Sequence, residues 1–340
     1  MGHPLTSRRV QRAPHRAWRV TSAALAAPVA ALSVFRAVPY PWPTPVVQLV
    51  SFTPWLVLPA GVSLLFAVLG RRRWMAGAAA GLVAVQLFWL VPLDSGRAEA
   101  EAAEGTAGDT LELRTMSLNA KLGRADAAEI VRLVRENGIT LLTIQEYTTA
   151  LEERLGAAGL SELLPNRITA PAGRAAGNAV YSIHKLERAG TVPDSYFSMP
   201  LIRLTAESQG KRAVVDLTNV HTRAPVGVGL PKWRSDLAAL GQVVSRPGNV
   251  VLAGDFNASY DHAEFRQLLQ GGGRKVVDVG LAQGSRLIPT WPMDGLLLPG
   301  ITLDHIVTSP SVRSAGYAVH AVPGTDHAAI IVTLSVPAAD

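Results

Sequence analysis

Three apolar runs crowd the start of the chain, Val20–Val38, Val46–Leu69 and Trp74–Leu93. A helix rises 1.5 Å per residue, so about 20 such residues match the ~30 Å hydrocarbon layer of a bilayer. The second and third runs carry no charged residue. The first contains Pro28 and Arg36, and an arginine near a helix end can extend its head group to the interface. That first run reads as a span, although its basic lead-in and Ala-rich tail also fit a signal peptide.

Charge gives the runs a direction. The net charge of +6 would suggest a nucleic-acid partner if it were spread over the chain. Residues 1–95 instead hold nine arginines, no lysine and one acid, Asp94, leaving 23 basic and 25 acidic residues for the remainder. Arg8 to Arg19 precede the first run and Arg71–Arg73 separate the second from the third, whereas the loop Pro39–Pro45 has no basic residue. Basic flanks stay in the cytoplasm, so everything after Leu93 is expected outside, and cleavage of the first run would not change that. The spans hold no Asp, Glu, Lys or His, the residues that mark ion and proton paths, so they read as an anchor rather than a pore. The expected organisation is a basic cytoplasmic N terminus (1–19), a three-helix transmembrane anchor (20–93), a flexible linker (94–109) and one domain over 110–340. With 48% hydrophobic and 17% charged residues and a mean hydropathy of +0.21, the chain is too apolar for a disordered polypeptide. It has no cysteine, which excludes disulfides, thiolate zinc sites and cysteine nucleophiles. Any metal must therefore be held by oxygen or nitrogen.

The outer domain alternates strand and helix signals. Strands are expected at Leu111–Leu118, Thr140–Ile144, Asn178–Ser182, Leu201–Ala206, Arg212–Val220, Val250–Ala253, Thr302–Thr308 and Ala328–Leu334. Helices are expected at Ala125–Glu136, stopped by Asn137-Gly138, and at Pro231–Val244 and His262–Gln270. The excess of strands predicts two packed sheets with helices outside. Six strand ends carry acids, amides or imidazoles: Ser117-Leu118-Asn119, Ile144-Gln145-Glu146, Asn219-Val220-His221-Thr222, Ala253-Gly254-Asp255-Phe256-Asn257, Leu303-Asp304-His305-Ile306 and Gly324-Thr325-Asp326-His327. Loops on a rigid sheet are where chemistry is usually placed.

In this order the six stretches resemble the endonuclease/exonuclease/phosphatase superfamily of DNase I-like hydrolases, over about two-thirds of the chain. Gly177-Asn178-Ala179-Val180-Tyr181-Ser182 is similar to a strand of that family, with Ile183 where relatives usually carry a basic residue. The resemblance implies an α+β, four-layer α/β/β/α sandwich, here preceded by three transmembrane helices. It implies a metal-dependent phosphoester hydrolase in which Glu146 is the principal metal carboxylate, with Asn119 beside it and Asp326 contributing directly or through water. Asp255 would orient or deprotonate the attacking water, and Asn257 would donate to a phosphate oxygen. His327 would contact the phosphate, held by Asp304, and His221 would bind the phosphate or protonate the leaving group. Oxygen ligands suit Mg²⁺, with Mn²⁺ or Ca²⁺ as substitutes. Asp255 and Asn257 should share one side of an extended segment with Phe256 facing the core, and the Asp255 carboxyl should stay acidic beside a cation and an imidazolium.

Structural readings compete residue by residue. Asn119 alone is a turn former, Glu146 a helix-start acid, and a lone His221 a surface residue. His305 points opposite to Asp304 and reads as structural, Asp261-His262 reads as a helix cap, and Trp233 and Trp291 read as packing. The substrate classes left open are nucleic acid, a phospholipid or sphingolipid headgroup, and a small phosphate ester. A slightly acidic outer domain argues against duplex DNA, and tethering to a bilayer argues for lipid, with Pro225–Pro231 and Gly295–Gly300 as apolar loops. A catalytically inactive membrane-bound binding module is the alternative of another class. The expected partners are the phosphoester and the lipid bilayer; no protein partner can be inferred.

Overall fold

The computed structural model describes residues 12–91, 109–208, 210–295 and 298–338. The chain divides into two compact units, Met1–Leu93 and Asp94–Asp340. Arg8 and Arg9, the linker over 94–108, and Leu296 and Leu297 of the second apolar loop lie outside the described residues.

In the first unit, His15–Ala37 and Arg73–Leu90 are each long and apolar enough to cross a bilayer. The middle run is not the single straight span expected: Thr44–Val50 and Thr53–Leu69 meet at 68°. Pro54, which has no N–H, opens a 3₁₀ turn there. Ser51 and Thr53 cover carbonyls at the break, their hydroxyls donating to Gln48 O (2.5 Å) and Val50 O (2.6 Å). Polar side chains face inward. Ser63 Oγ donates to Ser22 O (2.9 Å) and Gln86 Nε2 to Ser33 Oγ (2.8 Å), all four residues being buried, while Val20, Leu58, Leu65, Trp74 and Phe88 face out. At one end Arg19 Nε donates to Gly70 O (2.8 Å) and Trp18 stacks on Phe66, which brings Arg71–Arg73 beside the helix start. At the other, Arg36 lies 4.2 Å over the Trp89 ring and Phe35, Tyr40 and Trp42 pack together.

The second unit is an α+β sandwich of two six-stranded sheets. The first contains β1 (Thr110–Asn119), β2 (Leu141–Gln145), β3 (Asn166–Ala170), β4 (Asn178–Ser182), β11 (Arg313–Ala321) and β12 (Ala328–Pro337), in the order β11-β12-β1-β2-β4-β3. The second contains β5 (Lys185–Thr191), β6 (Pro200–Ser208), β7 (Lys211–His221), β8 (Asn249–Asp255), β9 (Val277–Asp278) and β10 (Asp304–Thr308), in the order β5-β6-β7-β8-β10-β9. Period-two alternation sends Leu113, Leu141, Leu204, Val215, Leu217, Val251, Ile330 and Val332 into the inter-sheet core.

Helices cover the outer faces. Asp126 caps Ala127–Glu136 by accepting from Ala128 N (2.8 Å) and Glu129 N (3.1 Å), which is why the helix starts two residues later than its apolar pattern. Its Ile130 and Val134 pack on Met116, Leu118, Leu142 and Ile144. Leu230–Val244 buries Trp233, Leu237 and Leu240, with Trp233 Nε1 donating to Phe256 O (3.3 Å).

Candidate active site

Parallel pairing decides where the polar strand ends meet. β1 and β2 run parallel with Asn119 opposite Gln145, and β7 and β8 run parallel with His221 opposite Asp255. Antiparallel β10 starts with Asp304 opposite Asp255, and β12, antiparallel to β1, begins just after His327. Two amides join the sheets. Asn219 Nδ2 donates to Ile144 O and Ala179 O (3.0 Å each), while its Oδ1 accepts from Gln145 Nε2 (2.6 Å).

Asp255 Oδ2 is the hub. It accepts from Asn119 Nδ2 (3.0 Å) and Asn257 Nδ2 (3.2 Å), and lies 3.9 Å from both His327 Nε2 and His221 Nε2. Asn119 Nδ2 also reaches Glu146 Oε1 (3.3 Å), which is 3.8 Å from His221 Nε2. Glu146 Oε2 accepts from Leu122 N (2.7 Å). His327 Nδ1 is 2.8 Å from Asp304 Oδ2. Asp326 stands beside this group, 3.5 Å from Lys121 Nζ, which is 2.6 Å from Asp294. The structure thus brings seven of the eight expected residues into one hydrogen-bonded or ion-paired set and holds Asp326 next to it through Lys121.

Local backbone geometry aims these groups. Glu146 has φ +54°, a left-handed conformation that costs a non-glycine residue and turns its carboxylate out of β2 toward Asp255. The turn is pinned from behind: Tyr147 N donates to Gly177 O (3.0 Å), and a Cβ on Gly177 would sit 1.7 Å from Tyr147 O. Asn257 departs from the extended segment expected of it, with φ +45°. Asparagine tolerates that region, and Asp255 Oδ1 accepting from Asn257 N (2.8 Å) closes the turn. Phe256 is buried as expected.

Burial separates the titrations. Burial opposes charge on His327, but the Asp304 and Asp255 carboxylates outweigh it and push the imidazole up to about 10. His221 moves the other way, below the ordinary imidazole range, because it is buried. Its ring stacks on Phe197 at 4.3 Å. The Asp255 carboxyl is expected to stay acidic beside a bound cation; the protein's own groups by themselves act the other way. Burial, reinforced by Asp304, raises it above the usual range against the pull of His327, His221 and the Asn257 N–H.

The donor set fits a hard divalent cation. Two carboxylates, Glu146 and Asp255, share one amide donor, and among the described residues neither has a lysine or arginine within ion-pair distance. Like charges held this closely call for a cation or a proton. Asn119 presents Nδ2 to both, its Oδ1 accepting from Lys121 N (2.9 Å). Asp255, Asp304 and His327 also offer three ligand atoms within 4.8 Å of one another, but the His327 imidazolium has no free lone pair to give.

Three residues escaped sequence reasoning. Asn219 and Gln145 stand in the quoted motifs, yet no role for them follows without knowing that they face each other across sheets. Lys121 had no motif at all. The Asp261-His262 cap is also corrected: His262 occupies the N-cap position without a side-chain cap bond. Asp261 instead pairs with Arg286 through both oxygens (2.8 and 2.7 Å), and His262 Nδ1 accepts from Ser259 N (2.8 Å). His305 is structural as expected, bound to Asp278 Oδ2 (2.7 Å) and Ala258 O (2.8 Å).

Comparison with known proteins follows the same lines. Among solved structures, a humanized D. rerio TDP2 shares 15% identity, with 66% of this chain and 98% of that one covered at a TM-score of 0.50. TDP2 from C. elegans shares 18%, covering 76% and 88% at 0.50. Sphingomyelinase C from Streptomyces griseocarneus shares 16%, covering 66% and 99% at 0.48. No curated protein matches the sequence. At these identities the structural likeness is one of fold. A sequence profile of the Endonuclease/Exonuclease/phosphatase family matches residues 116–327, the stretch from β1 to His327 that builds the rim, and the chain belongs to that family.

Proposed function

We propose that the protein is a membrane-anchored, divalent-metal-dependent phosphodiesterase with its catalytic domain outside the cytoplasm. The observation that carries the reaction is the convergence of Glu146 and Asp255 on Asn119, flanked by one charged and one neutral imidazole. Glu146, supported by Asn119 and Asp326, would hold the cation, which neutralises phosphate oxygens when bound. Asp255 takes a proton from the attacking water, a task that suits a carboxylate whose proton affinity burial has raised. His327 donates Nε2–H to a non-bridging oxygen while Asp304 fixes its Nδ1–H. Neutral His221 hydrogen-bonds the phosphate or the departing oxygen, and Asn257, locked to Asp255 and to Thr222 O (3.1 Å), completes the oxygen-binding wall.

Support for the anchor comes from the first unit, which buries serines and Gln86 and presents apolar side chains outward, the reverse of a water-soluble bundle. Its arginines Arg19 and Arg71–Arg73 gather at one end beside Trp18 and Phe66, and further aromatic residues gather at the other, where the last helix finishes near Arg36. One fold neighbour, a D. rerio TDP2, is known complexed with single strand DNA product, which is compatible with a phosphodiester substrate.

The test uses the full chain in detergent with bis(p-nitrophenyl) phosphate, DNA, RNA, sphingomyelin and phosphoinositides. Expected are Mg²⁺-dependent turnover, loss on chelation, and a fall of about 100-fold or more in Glu146→Gln. No turnover on any substrate, or turnover indifferent to both chelator and Glu146→Gln, overturns the reading. For topology, the cysteine-free chain permits a single Lys185→Cys variant on the exposed β5 edge. An impermeant maleimide should label it in intact cells, and labelling only after lysis refutes the extracytoplasmic assignment.

A further inference from the structure

A continuous wall of side chains leads away from His221. The His221 ring stacks on Phe197 (4.3 Å, 11°), Phe197 meets Tyr196 edge to face (4.9 Å), and the guanidinium of Arg223 lies 4.4 Å over the Tyr196 ring. The two outer residues are fixed from behind. Asp236, fully buried on the helix Leu230–Val244, accepts from Tyr196 N through Oδ1 (3.1 Å) and from Arg223 N through Oδ2 (2.9 Å). Its nearest cation is Lys232 at 3.8 Å, so it takes the main chain of Arg223 and not its charge. Among the described residues no carboxylate lies within ion-pair distance of the Arg223 guanidinium, and Tyr196 is 51% exposed. The following loop folds back on the arginine stem: a Cβ on Gly229 would fall 2.4 Å from Ala224 O and 3.1 Å from Arg223 Nε.

We propose that Arg223, held over Tyr196, is a specificity-determining residue that binds a second phosphate of the substrate beside the scissile one. The inference rests on the phosphodiesterase reading of the same site. A guanidinium stacked on an aromatic face keeps its planar fork of N–H donors free and oriented, which suits bidentate binding of a phosphate. The same stacking fills the tyrosine face that a quaternary ammonium would need, so the wall disfavours a phosphocholine headgroup. The class selected is a phosphoester carrying a further phosphate, whether on a nucleotide or on a phosphorylated inositol.

Two ligand pairs separate those sources: thymidine 3′,5′-bisphosphate against thymidine 3′-monophosphate, and inositol 1,4-bisphosphate against inositol 1-phosphate. Each is measured by calorimetry on the full chain in detergent with Mg²⁺, and again as an inhibitor of bis(p-nitrophenyl) phosphate hydrolysis. In the wild type the bisphosphate of at least one pair should bind about tenfold tighter than its monophosphate. Arg223→Ala should bring that ratio close to one and Arg223→Lys should restore part of it, and the pair that responds identifies the source. A wild-type ratio near one for both pairs, or a ratio that survives Arg223→Ala, overturns the assignment; so does an Arg223→Ala effect that weakens mono- and bisphosphates equally, the mark of a merely structural role. Calorimetry does not need turnover, so a retained ratio without hydrolysis counts against the reaction and not against the second-phosphate site.

Discussion

His327 Nδ1 stands 2.8 Å from Asp304 Oδ2, with both side chains buried, and the pair keeps an imidazolium at the rim of the sandwich. Burial alone would discharge that ring, and the two nearby carboxylates reverse the outcome. Asp304→Asn should therefore move the His327 titration from about 10 down toward the ordinary imidazole range near ~6.5, read from its ring resonances in NMR. The raised value also means that the charge contributes stability in full below that ordinary range and loses it as pH climbs through the folded value. Activity should fall by about 10²–10⁴. A titration left in place by the substitution would show that Asp304 does not hold the charge.

Glu146 sits at φ +54°. Replacement by alanine removes the carboxylate and leaves the strained backbone, whereas replacement by glycine removes both. Glu146→Gly is expected to be more stable than Glu146→Ala by about 1 kcal/mol in urea unfolding, even after the extra chain entropy of glycine is counted. Both should be inactive. Equal stabilities would mean that the turn relaxes and stores no strain.

Asn219 supplies three hydrogen bonds across the inter-sheet space. Asn219→Ala removes these three bonds from a buried site and leaves the Gln145 amide only its long contact with Ser117 Oγ (3.4 Å), at a cost of about 3 kcal/mol. Turnover should drop as well, because Ile144 and Gln145 lead directly into Glu146. Unfolding and activity measured on one preparation check both halves.

His305 has an acceptor at each ring nitrogen, Asp278 on one side and Ala258 O on the other. Only the doubly protonated ring satisfies both. Burial opposes that charge, and Asp278 with the carbonyl overcomes it, raising the His305 value. Its contribution to stability is thus complete below about pH 6.5 and disappears as pH rises through the raised value. Thermal melts of His305→Gln should decline less steeply on the alkaline side than those of the wild type, and parallel curves would contradict this.

Strands that bury a face were legible in the sequence. Asn178–Ser182 agrees at both ends, β1, β6, β7 and β8 extend past their apolar runs by one or two residues at each end, and β12 starts where its run starts and continues three residues further. Four strands went unread, all at sheet edges: β3, β5 and β11 bury no residue fully, so no alternation betrays them, and β9 is buried but only two residues long. Lys185, Glu187 and Arg188 even give β5 the composition of a loop, which is how an edge avoids pairing with another chain. In the site, the chemical types were readable because each follows an apolar run. The depth at which Asp255 is buried was not, since desolvation depends on how many neighbours close over a carboxyl and a linear pattern carries no such information. The break at Ser51–Phe52 was missed for a related reason: Pro54 sits inside a run whose hydropathy is uninterrupted, and only backbone geometry makes it a bend.

β12 does not lie at the margin of its sheet but between β11 and β1, the strand that opens the domain, and His327 immediately precedes it. The polar rim is therefore completed late in synthesis: only when β12 slots between its two neighbours does His327 reach Asp304 and Asp255, groups laid down earlier in the chain.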